Sequence, residues 1–321
     1  MTTLSTDWSR AMGLDAPILN APMGGVAGGA LAAAVSRAGG LGMVGIGSAG
    51  TSLDLERQLR YLSELGRPFG IGLVEWVTRC EPDLLAAAIA AKPAMLCVSF
   101  GDDFSWVQRA HDAGIVAATQ IGDLRGAARA VDAGVDVVIA RGAEAGGHGM
   151  PSVGTLPLLA AILDELSVPV LAAGGISSGR ALAAVLAAGA SGAWLGTAFC
   201  ACTETLSSDE TRRALLPAED TDTVTTRVFD IALGYPWPKS IPERVLRNEF
   251  TDRWHGHEHE LSANGDASAA LHTAIAEGDH RQAPINAGHG VGMLRTVRPA
   301  AEVIDRLCTD ASRLLGRRYI P

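Results

Sequence analysis

Asp132-Ala133-Gly134-Val135-Asp136-Val137-Val138-Ile139-Ala140 contains the unit from which most of this chain is built: a helix end, a glycine and a short apolar run. A glycine just past the last helical turn is the usual left-handed cap. A run that is continuously apolar, rather than alternating, marks a strand buried on both faces of a parallel sheet. The same junction recurs at Arg37-Ala38-Gly39, Asp112-Ala113-Gly114 and Ala187-Ala188-Gly189. Eight such runs occur, at residues 17–21, 41–46, 69–74, 95–100, 115–119, 136–140, 168–173 and 192–195, with Ala-rich helical stretches between them. Eight strand–helix units in about 200 residues predict an α/β chain folded as a (β/α)8 TIM barrel, with a doubly wound open sheet as the competing arrangement.

After Gly196-Thr197 the pattern lapses. Residues 207–292 show no strand–helix alternation, carry Pro236-Trp237-Pro238 and hold six of the eight histidines. They read as an inserted helical subdomain that leaves the carboxyl end of the last strand, a position from which it could cap the barrel mouth. A final helix over 299–315 returns to the barrel. The expected organisation is a barrel at 1–206, a helical lid at 207–292 and a closing segment at 293–321.

With 321 residues, 48% apolar and 19% charged, the chain has ample material for a core and no signature of disorder. The net charge of −9 argues against a polyanionic partner, and no basic run interleaved with aromatics suggests nucleic acid. Arg313, Arg317 and Arg318 read as a solvated helix face. Gly, Arg or Asp interrupts each apolar run before it reaches membrane-spanning length, so no membrane partner is expected. The first seven residues lack a basic region followed by an apolar core. Five cysteines, odd in number and without CxxC spacing, suggest free thiols in a reducing cytoplasm.

The opening stretch continues as Arg141-Gly142-Ala143-Glu144-Ala145-Gly146-Gly147-His148-Gly149, one imidazole on a glycine-rich turn just past a strand. Barrel enzymes keep their chemistry at the carboxyl ends of strands, and histidine suits proton transfer near neutral pH. A surface loop with an idle histidine is the plainer reading of that turn alone. Two more glycine turns follow the last two strands, Leu171-Ala172-Ala173-Gly174-Gly175-Ile176 and Trp194-Leu195-Gly196-Thr197. Loops in these positions commonly bind phosphate through backbone N–H groups and a helix N-terminus. Thr197 could add a hydroxyl, and Ser177 or Ser178 could cap the next helix. The first strand ends in Asn20-Ala21-Pro22-Met23-Gly24-Gly25, a turn able to lie against a flat ring with Met23 as soft filler. Together these pieces call for a phosphorylated, planar ligand across the barrel mouth, with His148 beside it.

In these blocks, and in Leu195-Gly196-Thr197-Ala198-Phe199 and Arg244-Val245-Leu246-Arg247-Asn248-Glu249-Phe250, the chain resembles the FMN-dependent nitronate monooxygenase (2-nitropropane dioxygenase) family. FMN-type enoyl-ACP reductases and some NAD(P)H:quinone reductases share the blocks. The resemblance implies FMN as cofactor, with Gly174, Gly175, Gly196 and Thr197 on its phosphate. Ala21, Pro22, Met23 and Gly24 would lie against the isoalloxazine, Gly146 and Gln120 beside the cofactor, and His148 would be the catalytic acid/base. It implies oxidation of alkyl nitronates with O2 to a carbonyl compound and nitrite. The alternative is an FMN-dependent NAD(P)H reductase, and behind it a flavin-binding protein without catalysis. A monomer or homodimer is expected. Three departures stand out: Gly72 where many relatives carry Asn, Gln120 where some carry Lys, and Ala287-Gly288-His289 where Ala-Gly-Gln is frequent. The bulky pair Glu75-Trp76 also stands near the site.

Other chemistries find less support. A Schiff-base aldolase needs a lysine at a strand end, yet the only lysines are Lys92, before a proline, and Lys239, in the insertion. Glu75, Asp102, Asp103 and Glu144, just past strands, could hold Mg²⁺, though solvation and helix capping explain Asp102 and Asp103. His255, His257 and His259 invite a zinc reading, but no fourth ligand is evident and a polar turn suffices; no metal is expected. Gly24-Gly25-Val26-Ala27-Gly28-Gly29 lacks the spacing and acidic partner of a dinucleotide fingerprint.

Overall fold

The computed structural model describes residues 4–316. Eight parallel strands form one sheet: β1 Ile18–Asn20, β2 Gly42–Gly45, β3 Phe69–Val74, β4 Met95–Ser99, β5 Val116–Ile121, β6 Val137–Arg141, β8 Val170–Ala173 and β9 Gly192–Leu195. Each falls on one of the eight predicted runs, with ends shifted by at most two residues. Their order, β1-β9-β8-β6-β5-β4-β3-β2, brings first and second strands to opposite ends of the sheet, and a parallel bridge from Leu19 to Leu41 joins those ends into a barrel. The open-sheet alternative is thereby excluded. At this seam the buried Asn20 side chain takes over from the backbone ladder. Its Nδ2 donates to the Met43 carbonyl and its Oδ1 accepts from the Met43 N–H, both at 2.8 Å.

Strand direction follows from the helix caps. Gly39, Gly114, Gly134 and Gly189 all have positive φ, the conformation that lets each helix end turn back into a strand. Ser178, one of the two candidate caps, accepts from the Ala181 N–H at the start of helix Gly179–Ala187. Inside the barrel, Met43, Met95, Ile139, Leu171 and Trp194 interdigitate. Helix Ala300–Leu315, with Pro299 as its N-cap, packs on helices Gly179–Ala187 and Gly29–Arg37.

The segment after β9 is largely helical, with helices Asp209–Leu215, Val228–Leu233, Glu249–Trp254, Glu258–Ser262 and Gly265–Glu277. It also contains two strands that its sequence pattern did not signal, β10 Thr223–Thr226 and β11 Glu243–Leu246. Four-residue strands are too short to establish an alternation. The segment has its own small core, in which Val228, Phe229, Val245, Phe250 and Trp254 pack together. It is tied to the barrel by β7, the Gly147–His148 pair of the glycine-rich turn, which adds to β11 in antiparallel register with Glu243 opposite His148 and Arg244 opposite Gly147. No described helix is long and apolar enough to cross a membrane.

Candidate active site

The eleven residues that the sequence singles out line one cavity of about 840 Å³ at the carboxyl ends of the barrel strands. Its floor includes Cys97, Gln120 and Trp194; the turn Ala21–Gly24 forms one side, the glycine turns after β8 and β9 another, and His148 a third. Gly174 and Gly175 have φ of +115° and +68°, which turns the chain sharply after β8. Among the described residues, the N–H groups of Gly175 and Ile176 have no protein acceptor. Donors left open in a turn beside a helix N-terminus suit an anion. Thr197 Oγ1 accepts from the Gly288 N–H at 3.0 Å, so its own O–H remains free to donate. These features fit a phosphorylated ligand. Gln120 is held through its backbone N–H, which donates to Ser99 Oγ at 3.0 Å. The Cys97 thiol is pushed up to about 12 by burial and is therefore inert at neutral pH.

The departure at Gly72 has a steric basis. A Cβ there would lie 2.1 Å from Pro22 Cγ, so the proline ring fills the space a side chain on β3 would need. Glu75 and Trp76 do not obstruct the cavity. Glu75 is buried, and its carboxylate lies 3.2 Å from the Arg79 guanidinium. Trp76 meets Trp237 edge-on at 5.8 Å and supports it from behind. His289 sits beside the phosphate turn, its N–H bonded to the Glu144 carbonyl, and burial with the nearby Arg244 lowers its pKa.

His148 is held on two sides, and both holds come from the inserted segment. Its Nε2 lies 2.9 and 3.1 Å from the two carboxylate oxygens of Asp230, on helix Val228–Leu233. The Asp230 side chain is 3% exposed and that of His148 14% exposed, so water competes little for this contact. The imidazole also stacks on Trp237, with ring centroids 3.6 Å apart and planes within 7°. Trp237 is fixed in turn by Nε1 donating to Ser48 Oγ at 3.0 Å and by an edge contact with Phe100. Phe100 has a φ of +71°, a strained conformation for a residue with a side chain, at the end of β4. A proton on Nε2, shared with the carboxylate, leaves Nδ1 as the basic nitrogen; among the described residues Nδ1 has no partner.

Glu243 completes this wall. It is buried across the β7–β11 pair from His148, and burial together with the Asp230 carboxylate holds its carboxyl well above the ordinary range. His148, Asp230 and Glu243 each bring one ligand atom within 4.8 Å of the others, the only such group among the described residues. A hydrogen bond joins the imidazole to Asp230, and burial beside that carboxylate disfavours charge on Glu243. The other candidates are committed elsewhere. Asp102 pairs with Arg129, Asp103 accepts from the Ser105 N–H, and Glu144 accepts from the N–H and O–H of Thr155. His255 follows one helix and His257 precedes the next, each near a glutamate. Lys92 and Lys239 do not line the cavity.

The sequence alone pointed to His148 but not to Asp230, Trp237 or Glu243. Pro236-Trp237-Pro238 was the one visible signal. The acids lay unmarked because β10, β11 and helix Val228–Leu233 are short and reach the site only through tertiary packing.

The sequence profile of the nitronate monooxygenase family matches residues 6–83 and 82–310. A nitronate monooxygenase of Paraburkholderia phytofirmans is 32% identical, the alignment covering 92% of each chain. FabK from Thermotoga maritima superposes with a TM-score of 0.86 at 29% identity over 98% of each chain. The nitroalkane oxidase of Streptomyces ansochromogenes superposes with a TM-score of 0.81 at 30% identity, over 95% of this chain and 98% of that one. The chain is therefore an oxidoreductase and belongs to the nitronate monooxygenase family.

Proposed function

We propose that this protein binds FMN and oxidises alkyl nitronates, or the parent nitroalkanes, with O2 to a carbonyl compound and nitrite. The observation that carries this reading is an imidazole locked in place on the wall of a cavity whose other turns suit a phosphate and a flat ring. FMN would supply the electron-transfer chemistry. Gly174, Gly175, Gly196 and Thr197 would hold its phosphate. Ala21, Pro22, Met23 and Gly24 would lie against the ring, with Gly146 and Gln120 beside it. His148 Nδ1 takes the α-proton from a neutral nitroalkane, and the Asp230 carboxylate at Nε2 stabilises the imidazolium that forms. General-base assistance of this kind typically contributes ~10²–10⁴-fold. Trp237 keeps the imidazole in plane and excludes water from one face. Residues 207–292 act as the lid between the barrel (1–206) and the closing segment (293–321), and they supply the residues that orient His148.

The test is the visible spectrum of the purified protein under anaerobic conditions, before and after addition of propyl nitronate. A yellow protein whose flavin bands bleach supports the proposal. Bleaching by NAD(P)H but not by nitronate would replace it with the reductase reading. A colourless protein that cannot be reconstituted with FMN would refute it.

A further inference from the structure

Arg141 ends β6 at the cavity and is 6% exposed, yet no carboxylate pairs with it among the described residues. Its Nη2 donates to three carbonyls of the glycine-rich turn, at 2.9 Å to Gly147, 3.0 Å to Gly146 and 3.4 Å to Ala145. The other edge of the guanidinium packs where Gly149 lacks a side chain; a Cβ there would stand 1.8 Å from Nη1. Burial, and after it the neighbouring cation Arg244, lowers the guanidinium to about 10. At neutral pH Arg141 is therefore a full positive charge, buried and uncompensated, on the lining of the cavity.

Such a charge is costly unless something anionic shares its surroundings. The carbonyls solvate the guanidinium but leave its charge in place. Glu144, the acid in the same turn, is engaged with Thr155. The phosphate turn begins one residue past Ala173, the partner of Arg141 across the β6–β8 pair, but the guanidinium is turned toward the carbonyls of residues 145–147, in the turn that carries His148. Gln120, at the end of β5, is neutral and cannot provide the counter-effect to charge that builds up on a ring bound there.

We propose that Arg141 sets the reduction potential of the bound flavin, acting as the cation that stabilises the ring once it is reduced. The inference rests on the FMN reading above. Uptake of two electrons and one proton by the oxidised ring leaves one negative charge on it. A desolvated guanidinium favours that state by Coulomb attraction, which is stronger in a cavity than in water. The same charge favours addition of a sulfite anion to the oxidised ring, because the adduct too carries negative charge on the flavin. In this role Arg141 is a cofactor-tuning residue, and the turn 145–149 holds it as well as presenting His148.

The experiment uses FMN-loaded wild-type protein and the variants R141M and R141K. The two-electron potential is measured by equilibration with an indicator dye, and sulfite affinity by loss of the visible flavin band. R141M is expected to disfavour the reduced state by about 10- to 100-fold, a drop of about 30 to 60 mV at ~30 mV per tenfold for a two-electron couple. Its sulfite affinity should fall by a similar factor. R141K should retain most of both. If R141M retains FMN and neither quantity moves by more than twofold, the proposal is wrong. A rise in the nitronate KM with potential and sulfite affinity unchanged would also overturn it and assign Arg141 to the substrate anion. If R141M loses FMN, R141Q against R141K provides the comparison of neutral with charged. Wild-type protein that does not bind FMN would remove the proposed function itself, a result distinct from failure of the variants.

Discussion

The Asp230–His148 contact makes a prediction that separates proton transfer from oxidation. Asp230→Asn keeps the shape of the side chain and removes its charge. The contact it weakens is 2.9 Å long, with both partners largely shielded from water. Hydrogen bonds to charged groups are typically worth about 1.5–3 kcal/mol, which at about 1.4 kcal/mol per tenfold in rate corresponds to a loss of about 10- to 150-fold. That loss should fall on the step in which His148 takes up a proton. The assay is anaerobic stopped-flow bleaching of the flavin, first with neutral nitroethane and then with ethyl nitronate already deprotonated. Nitroethane should react 10- to 150-fold more slowly and ethyl nitronate within about threefold of wild type, at unchanged FMN content. Equal slowing with both substrates would mean that Asp230 supports the cavity rather than the base. No slowing with nitroethane would remove His148 Nδ1 from the proposed role.

Three further expectations follow from particular contacts. Because the Glu243 carboxyl is raised in the folded protein, the native state retains its proton to higher pH than the unfolded chain does, so its contribution to stability is complete at low pH and is lost as pH rises from the ordinary carboxyl range; Glu243→Gln should therefore gain melting temperature relative to wild type between pH 5 and pH 8, and a constant difference across that range would refute the assignment. Asn20→Ala leaves the Met43 N–H and carbonyl unsatisfied at the barrel seam; it should cost about 2–4 kcal/mol, read as a lower urea midpoint at unchanged m-value. Gly72→Asn forces the Pro22 ring from its place and should weaken FMN retention by at least ~10-fold in a dialysis assay, which corresponds to only about 1.4 kcal/mol; retention at the wild-type level would show that the turn can shift freely.

Local chemistry accounts for what the sequence by itself determined. Eight continuous apolar runs and repeated helix-ending glycines dictate strands buried on both faces, joined by helices, and the structure closes them into a barrel. The glycine turns after β6, β8 and β9 were equally legible, because a backbone that must turn sharply requires residues without side chains, and such turns stand where ligands approach. Hence His148 and the residues of the turns could be placed in one cavity from their spacing alone. Asp230, Trp237 and Glu243 could not. They lie 82, 89 and 95 positions beyond His148, in elements of four to six residues or in a loop, too short for any periodicity to declare. The β7–β11 pairing brings Glu243 opposite the imidazole, and packing of helix Val228–Leu233 delivers the Asp230 carboxylate to its Nε2. Arg141 differs again: its place at a strand end was visible, but the missing counter-charge was not. Whether a buried charge is paired depends on every neighbour in three dimensions, and only the tertiary structure determines those neighbours.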